Sequence, residues 1–147
     1  MQVRQANGVN IHYRRETTGG AAAASDRPTL VFANSLGTDL RLWDRTLAEL
    51  PAGLDVLRYD KRGHGLSDAP APPYAMADHA DDLAALLDGL GITRAVVCGI
   101  SVGGMIAISL ALRRPELVQG LVLMDTGHRI GNADGWNDRI AKVEAGG

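Results

Sequence analysis

The stretch Val96-Val97-Cys98-Gly99-Ile100-Ser101-Val102-Gly103-Gly104-Met105-Ile106-Ala107 constrains the chain more than any other. It begins as a β-branched apolar run, suited to a strand buried on both faces. It ends in small and apolar residues, from Met105 to Leu112, long enough for a helix. Between them Gly99, Ser101 and Gly103 spell G-x-S-x-G, which in a strand–turn–helix setting is a nucleophile elbow. The turn is too tight for side chains two positions before and after the serine. Ser101 is therefore expected in a strained backbone conformation, its hydroxyl above the sheet edge and at the positive end of the following helix. The phosphate-binding alternatives fit less well. A dinucleotide turn needs glycine where Ser101 stands, and a Walker loop needs Gly-Lys-Ser/Thr where Gly104 is followed by Met105.

The rest of the chain alternates strand and helix signals. Asn7-Gly8 between short alternating runs marks a hairpin. Val9, Ile11 and Tyr13 share one face of its second strand, and His12 on the other is expected to be exposed. Residues 17–27 read as a low-complexity loop, mobile and without function. Thr29–Ala33 is a buried strand, and Asn34–Thr38 forms a small, polar loop at its C-terminal end, where sheets of this kind bind ligands. Trp43, Leu47 and Leu50 recur at helical spacing, with Trp43 either core or pocket wall. Asp55–Asp60 is the next strand. In the loop that follows, His64 lies between two glycines. It is either a base or a turn residue held by its neighbours; no acid or nucleophile stands at motif spacing, which favours the second. Pro70, Pro72 and Pro73 mark a turn. The spacing predicts a helix from Met76 to Leu90 that buries Leu83, Leu86, Leu87 and Leu90, with Asp78, Asp81, Asp82 and Asp88 solvated and His79 at the boundary. Val118–Met124 is the last strand, and Trp136, Ile140 and Val143 open another helical pattern. Alternating βα units imply a mostly parallel sheet behind an N-terminal antiparallel hairpin, an α/β fold with right-handed crossovers.

Composition narrows the function classes. With 147 residues the chain is one domain, and a formal net charge of −2 suggests neither nucleic acid nor an anionic membrane as partner. No apolar run reaches the roughly 18–20 residues of a membrane span. The start of the chain is polar and does not read as a signal peptide. Cys98, the single cysteine, falls in a buried strand, so no disulfide framework exists and a reducing cytoplasm is expected.

These stretches together resemble the α/β-hydrolase superfamily and, within it, the 3-oxoadipate enol-lactonases. The resemblance rests on Phe32–Thr38, Trp43-Asp44, Arg58–Ser67, Gly99–Gly104, Asp125-Thr126, Ile130-Gly131 and Trp136. Many superfamily members carry His-Gly where this chain has Asn34-Ser35. The resemblance implies a carboxylic-ester hydrolase that opens a carboxylate-bearing enol-lactone, a small-molecule substrate, with no metal or organic cofactor. Ser101 matches the nucleophile, and the backbone N–H groups of Leu36 and Val102 match the oxyanion hole. Asn34, Trp43 and Trp136 are candidate pocket residues, and Arg129 and Arg139 are both candidates for the substrate carboxylate. Residues 1–131 correspond to the N-terminal part of the hydrolase core, and 132–147 to the start of a cap domain.

The family's acid and histidine follow its last two strands, and the chain is expected to stop after strand six, before either. Asp125 and His128 lie at the correct sheet edge and are the substitutes within reach. Strand six is then expected to be an open apolar edge, the chain to be marginally stable and inactive alone, and a complementary C-terminal chain to be a possible partner. Another hydrolase of the same fold, an esterase or a carbon–carbon bond hydrolase, remains an alternative, as does a non-catalytic binding module.

Overall fold

The computed structural model describes residues 1–20 and 26–146. Strands β1 (Gln2–Ala6), β2 (Val9–Thr17), β3 (Thr29–Ala33), β4 (Asp55–Tyr59), β5 (Ala95–Ile100) and β6 (Val118–Met124) form one sheet in the order β1-β2-β4-β3-β5-β6. β1 and β2 pair antiparallel, as do β2 and β4; the β4-β3, β3-β5 and β5-β6 pairs are parallel. The helices are α1 (Asp44–Glu49), α2 (Met76–Gly89), α3 (Val102–Arg113) and α4 (Ala133–Gly146). A short 3-10 turn, Leu40–Trp43, leads into α1. Asn7 and Gly8 both have positive φ, 49° and 81°, the geometry that lets a two-residue turn match strand twist.

The central strands are mostly apolar because both faces are covered. Val31, Leu57 and Val97 join Leu83, Leu86, Leu87, Ile106 and Leu110 in the larger core. Their chain neighbours Phe32, Val56 and Cys98 point the other way and pack with Trp43 in the smaller one. Trp43 is thus a core residue, tilted against Phe32 with ring centroids 4.8 Å apart. Burial pushes the Cys98 thiol pKa up to about 11. At the sheet edge, Leu121, Val122 and Leu123 of β6 remain 37–45% exposed. No helix among the described residues is long and apolar enough to cross a membrane.

Three polar residues depart from the sequence expectation. His12 is buried, and its Nδ1 lies 2.8 Å from a carboxylate oxygen of Asp60. Asp82 is 1% exposed and accepts two hydrogen bonds from the Arg62 guanidinium, at 2.6 and 2.5 Å, and one from the Asn7 amide. That bidentate pair fastens α2 to the loop after β4 and to the hairpin turn. His79 is buried edge-on against Tyr74, and its Nδ1 has no partner among the described residues. The expected loop over 17–27 also begins differently. β2 runs to Thr17, and the buried Thr18 hydroxyl donates to Pro51 O and accepts from Leu54 N–H. Residues 21–25 lie outside the described residues.

The glycines of the elbow set how closely α3 sits on the sheet. A Cβ on Gly103 would run into the carbonyl oxygen of Ala33, one on Gly99 into the backbone of Gly103, and one on Gly104 into the Thr126 side chain. Gly103 faces backbone that has no rotamer to yield. Gly103→Ala is therefore expected to destabilise the chain by about 1–3 kcal/mol or more, read as a lowered Tm in thermal unfolding. His79 gives a pH dependence. Burial lowers its pKa from 6.5 to about 4. The unfolded chain binds this proton near the ordinary value and the folded chain only near 4. The stability that neutral His79 carries is complete above pH 6.5 and is lost as pH falls toward 4. His79→Phe is expected to flatten the fall of Tm across that window.

Candidate active site

Ser101 occupies the single step between β5 and α3 with φ 54° and ψ −122°. This backbone region is costly for a residue with a Cβ and persists only where its surroundings impose it. The imposing contacts are visible. Ser101 N–H donates to Met124 O at 3.0 Å, fixing the elbow to the end of β6. Ser101 O accepts from Gly104 N–H at 2.9 Å and from the Thr126 hydroxyl at 2.7 Å. The Ser101 side chain is half-buried and caps no backbone group of α3.

Beside the elbow lies the loop after β3. Ala33 pairs with Gly99 in the parallel register, so both strands end level. Leu36 is the third residue after Ala33, and Val102 the third after Gly99. Val102 is the first residue of α3, where N–H groups have no intrahelical acceptor. Among the described residues, no acceptor meets the N–H of Val102 or of Leu36. The loop itself is tied down at other points. The Asn34 amide donates to Thr38 O, and Thr38 donates through its hydroxyl to Ser35 O at 2.9 Å. Lys61 Nζ donates to the same Ser35 O at 2.7 Å. Gly37 N–H donates to His64 Nε2 at 3.1 Å. Lys61 is 2% exposed, and burial pushes its pKa down to about 8.

The structure brings Ser101 together with the loop that holds Leu36 and Asn34, and with Val102. Asn34 is buried, its Oδ1 unpartnered among the described residues. Trp43 and Trp136 make contacts of their own. Trp43 lies in the smaller core. Trp136, on α4, donates from Nε1 to Ile130 O at 2.7 Å and carries Arg139 over its ring at 5.5 Å. His128 is exposed and Asp125 follows β6 with φ 43°; among the described residues neither hydrogen-bonds Ser101. His64 is the held turn residue, not a base beside Ser101. Sequence reasoning missed Lys61, which bonds the loop directly, and the Asp60–His12 pair that anchors the residue beside it. The available signal was Asp60 closing a strand directly before Lys-Arg-Gly-His-Gly, a polar cluster at the ligand-binding end of the sheet.

The comparisons agree with this fold. The pattern of the alpha/beta hydrolase fold family matches residues 28–141. The 3-oxoadipate enol-lactonase 2 of Acinetobacter baylyi is 41% identical over 123 residues, 84% of this chain and 46% of its own length. The 3-oxoadipate enol-lactonase 1 of the same organism is 38% identical over 120 residues, 82% of this chain and 45% of its own. The crystal structure of the enol-lactonase from Burkholderia xenovorans LB400 superposes with a TM-score of 0.89 at 38% identity, over 99% of this chain and 55% of that one. The chain spans about half the length of the curated relatives it matches. From the elbow at Ser101 to the order of the strands, the chain belongs to the α/β-hydrolase family.

Proposed function

We propose that this chain carries the nucleophile and oxyanion hole of a carboxylic-ester hydrolase that opens a carboxylate-bearing enol-lactone of the 3-oxoadipate type. The observation that carries the reading is the strained Ser101 at the turn into α3, with the N–H groups of Val102 and Leu36 meeting no acceptor among the described residues. Ser101 Oγ attacks the ring carbonyl, and its proton passes to a base. The carbonyl oxygen becomes an oxyanion between the two N–H groups. Preorganised donors of this kind contribute roughly 3–4 kcal/mol each to acyl transfer. The tetrahedral intermediate collapses by breaking the ring C–O bond, and the ring oxygen leaves as an enol that tautomerises to the ketone. Water then hydrolyses the acyl-enzyme and frees the carboxylate. The name of the Acinetobacter relatives supports the substrate class. Arg139, stacked on Trp136, and Arg129 are the cations offered to the second carboxylate.

Serine is a weak nucleophile without an adjacent base. In this reading the base and its acid are supplied by polypeptide that docks along the β6 edge, where Leu121, Val122 and Leu123 are exposed. The lone cysteine, Cys98, supports a cytoplasmic setting.

The test joins residues 1–131 of this chain to the remaining half of the Acinetobacter baylyi enol-lactonase 2. The fused protein is expected to hydrolyse the enol-lactone faster than a plain aryl ester. Ser101→Ala should lower its kcat by about 10⁴- to 10⁶-fold, whereas the 147-residue chain alone should resemble that variant. A folded fusion that cleaves the aryl ester and spares the lactone would overturn the substrate class, and one indifferent to Ser101→Ala would overturn the mechanism.

A further inference from the structure

The loop over 34–38 carries Leu36, whose N–H meets no acceptor among the described residues, yet glycine and small residues give it little packing of its own. Two side chains from the loop after β4 reach it, and they grip consecutive peptide planes. Lys61 Nζ holds Ser35 O at 2.7 Å. In a trans peptide the carbonyl and the N–H of the next residue lie in one plane and point in opposite directions. Drawing Ser35 O toward buried Lys61 therefore turns Leu36 N–H the other way. His64 holds the next plane: its Nε2 accepts from Gly37 N–H at 3.1 Å, and its Nδ1 lies 3.1 Å from Arg62 O. A backbone N–H can only donate and a carbonyl can only accept. Both contacts thus require the same neutral tautomer, with the ring proton on Nδ1.

We propose that Lys61 and His64 are positioning residues that clamp the two peptide planes flanking Leu36, and so aim its N–H at the oxyanion. The assignment of that oxyanion rests on the function proposed above; the clamp itself is a matter of backbone geometry. Its two halves respond differently to pH. A neutral lysine amine still donates, so the Ser35 plane stays held when Lys61 loses its proton. An imidazolium has no lone pair left at Nε2, so protonation of His64 releases Gly37. Burial keeps the His64 pKa below the ordinary value, the contact with Arg62 O opposing it; Lys61 adds to the lowering and Asp60 opposes it. His79 on α2 is the other titratable group facing the ring, and burial holds it neutral down to about pH 4.

The test needs no turnover. In the ¹⁵N-labelled 147-residue chain, the Gly37 amide is followed by NMR from about pH 8 to about pH 4.5, alongside the His64 ring nitrogens. Gly37 is expected to shift with the His64 midpoint, and its protection from hydrogen exchange, corrected for intrinsic rates, to fall about tenfold as the acceptor is lost. His64→Gln, which keeps an acceptor and does not titrate, should make both flat with pH. Lys61→Met should move the Leu36 amide while the amides of β5 and α3 keep their positions. A Gly37 amide blind to the His64 titration in the unsubstituted chain would overturn the clamp, as would a Leu36 amide unchanged in Lys61→Met. In the fused enzyme the same Lys61→Met should lower kcat about ten- to a hundredfold with little change in KM, the signature of a contact felt only in the transition state. A fused enzyme inactive on every ester while the amides respond would remove the function and leave the clamp standing.

Discussion

A buried carboxylate is costly unless its oxygens are fully engaged, and Asp60 meets that demand by tying three segments together. Its Oδ1 accepts from Leu40 N–H at 2.7 Å, and its Oδ2 from Leu66 N–H at 3.0 Å and from His12 Nδ1 at 2.8 Å. Gly65 passes so close that a Cβ there would overlap the carboxylate. The turn before α1, the loop after β4 and strand β2 thus share one anchor at the end of β4. Lys61 follows Asp60 directly and His64 stands three residues further on, so the groups that reach the loop over 34–38 start from a fixed point. Arg62, two residues on, runs to Asp82 and carries the same rigidity into α2.

What could be read from the sequence divides along the range of the interactions. The hairpin at Asn7-Gly8, the strands Thr29–Ala33 and Val118–Met124, and the elbow depend on neighbours in the chain, and their bounds follow from local pattern. His12, His79 and Asp82 do not. His12 meets Asp60 across 48 residues, and Asp82 meets Asn7 across 75. Helical spacing places Asp82 on the same face as Asp78, but only the fold supplies the guanidinium that makes its burial tolerable. Trp43 shows a different ambiguity. A large aromatic near a ligand-binding loop fits core and pocket equally by composition, and packing against Phe32 decides for core.

The candidate site shows the same division. Ser101 and Val102 are legible because the elbow encodes its own geometry. Leu36 follows only from resemblance, since nothing in Asn34–Thr38 marks one N–H above another. In the proposed clamp its selection happens in three dimensions, through residues more than twenty positions later in the chain.

The neighbouring ends of β3 and β5 bring the two proposed donors to the same edge of the sheet. Parallel register sets Ala33 beside Gly99, and Gly103 lets α3 close onto the Ala33 carbonyl. Any side chain at Gly103 would lift the helix, and with it Val102 N–H, away from the loop that carries Leu36. Donors that stabilise a developing charge must already be oriented when it forms, because reorienting them would consume the gain. Here the orientation is paid for in backbone: positive φ at Ser101, bare Cα atoms at three glycines, and a buried lysine beneath the loop. In the function proposed above, the strain at the elbow and the clamp under Leu36 serve one requirement, two N–H groups oriented before the charge forms.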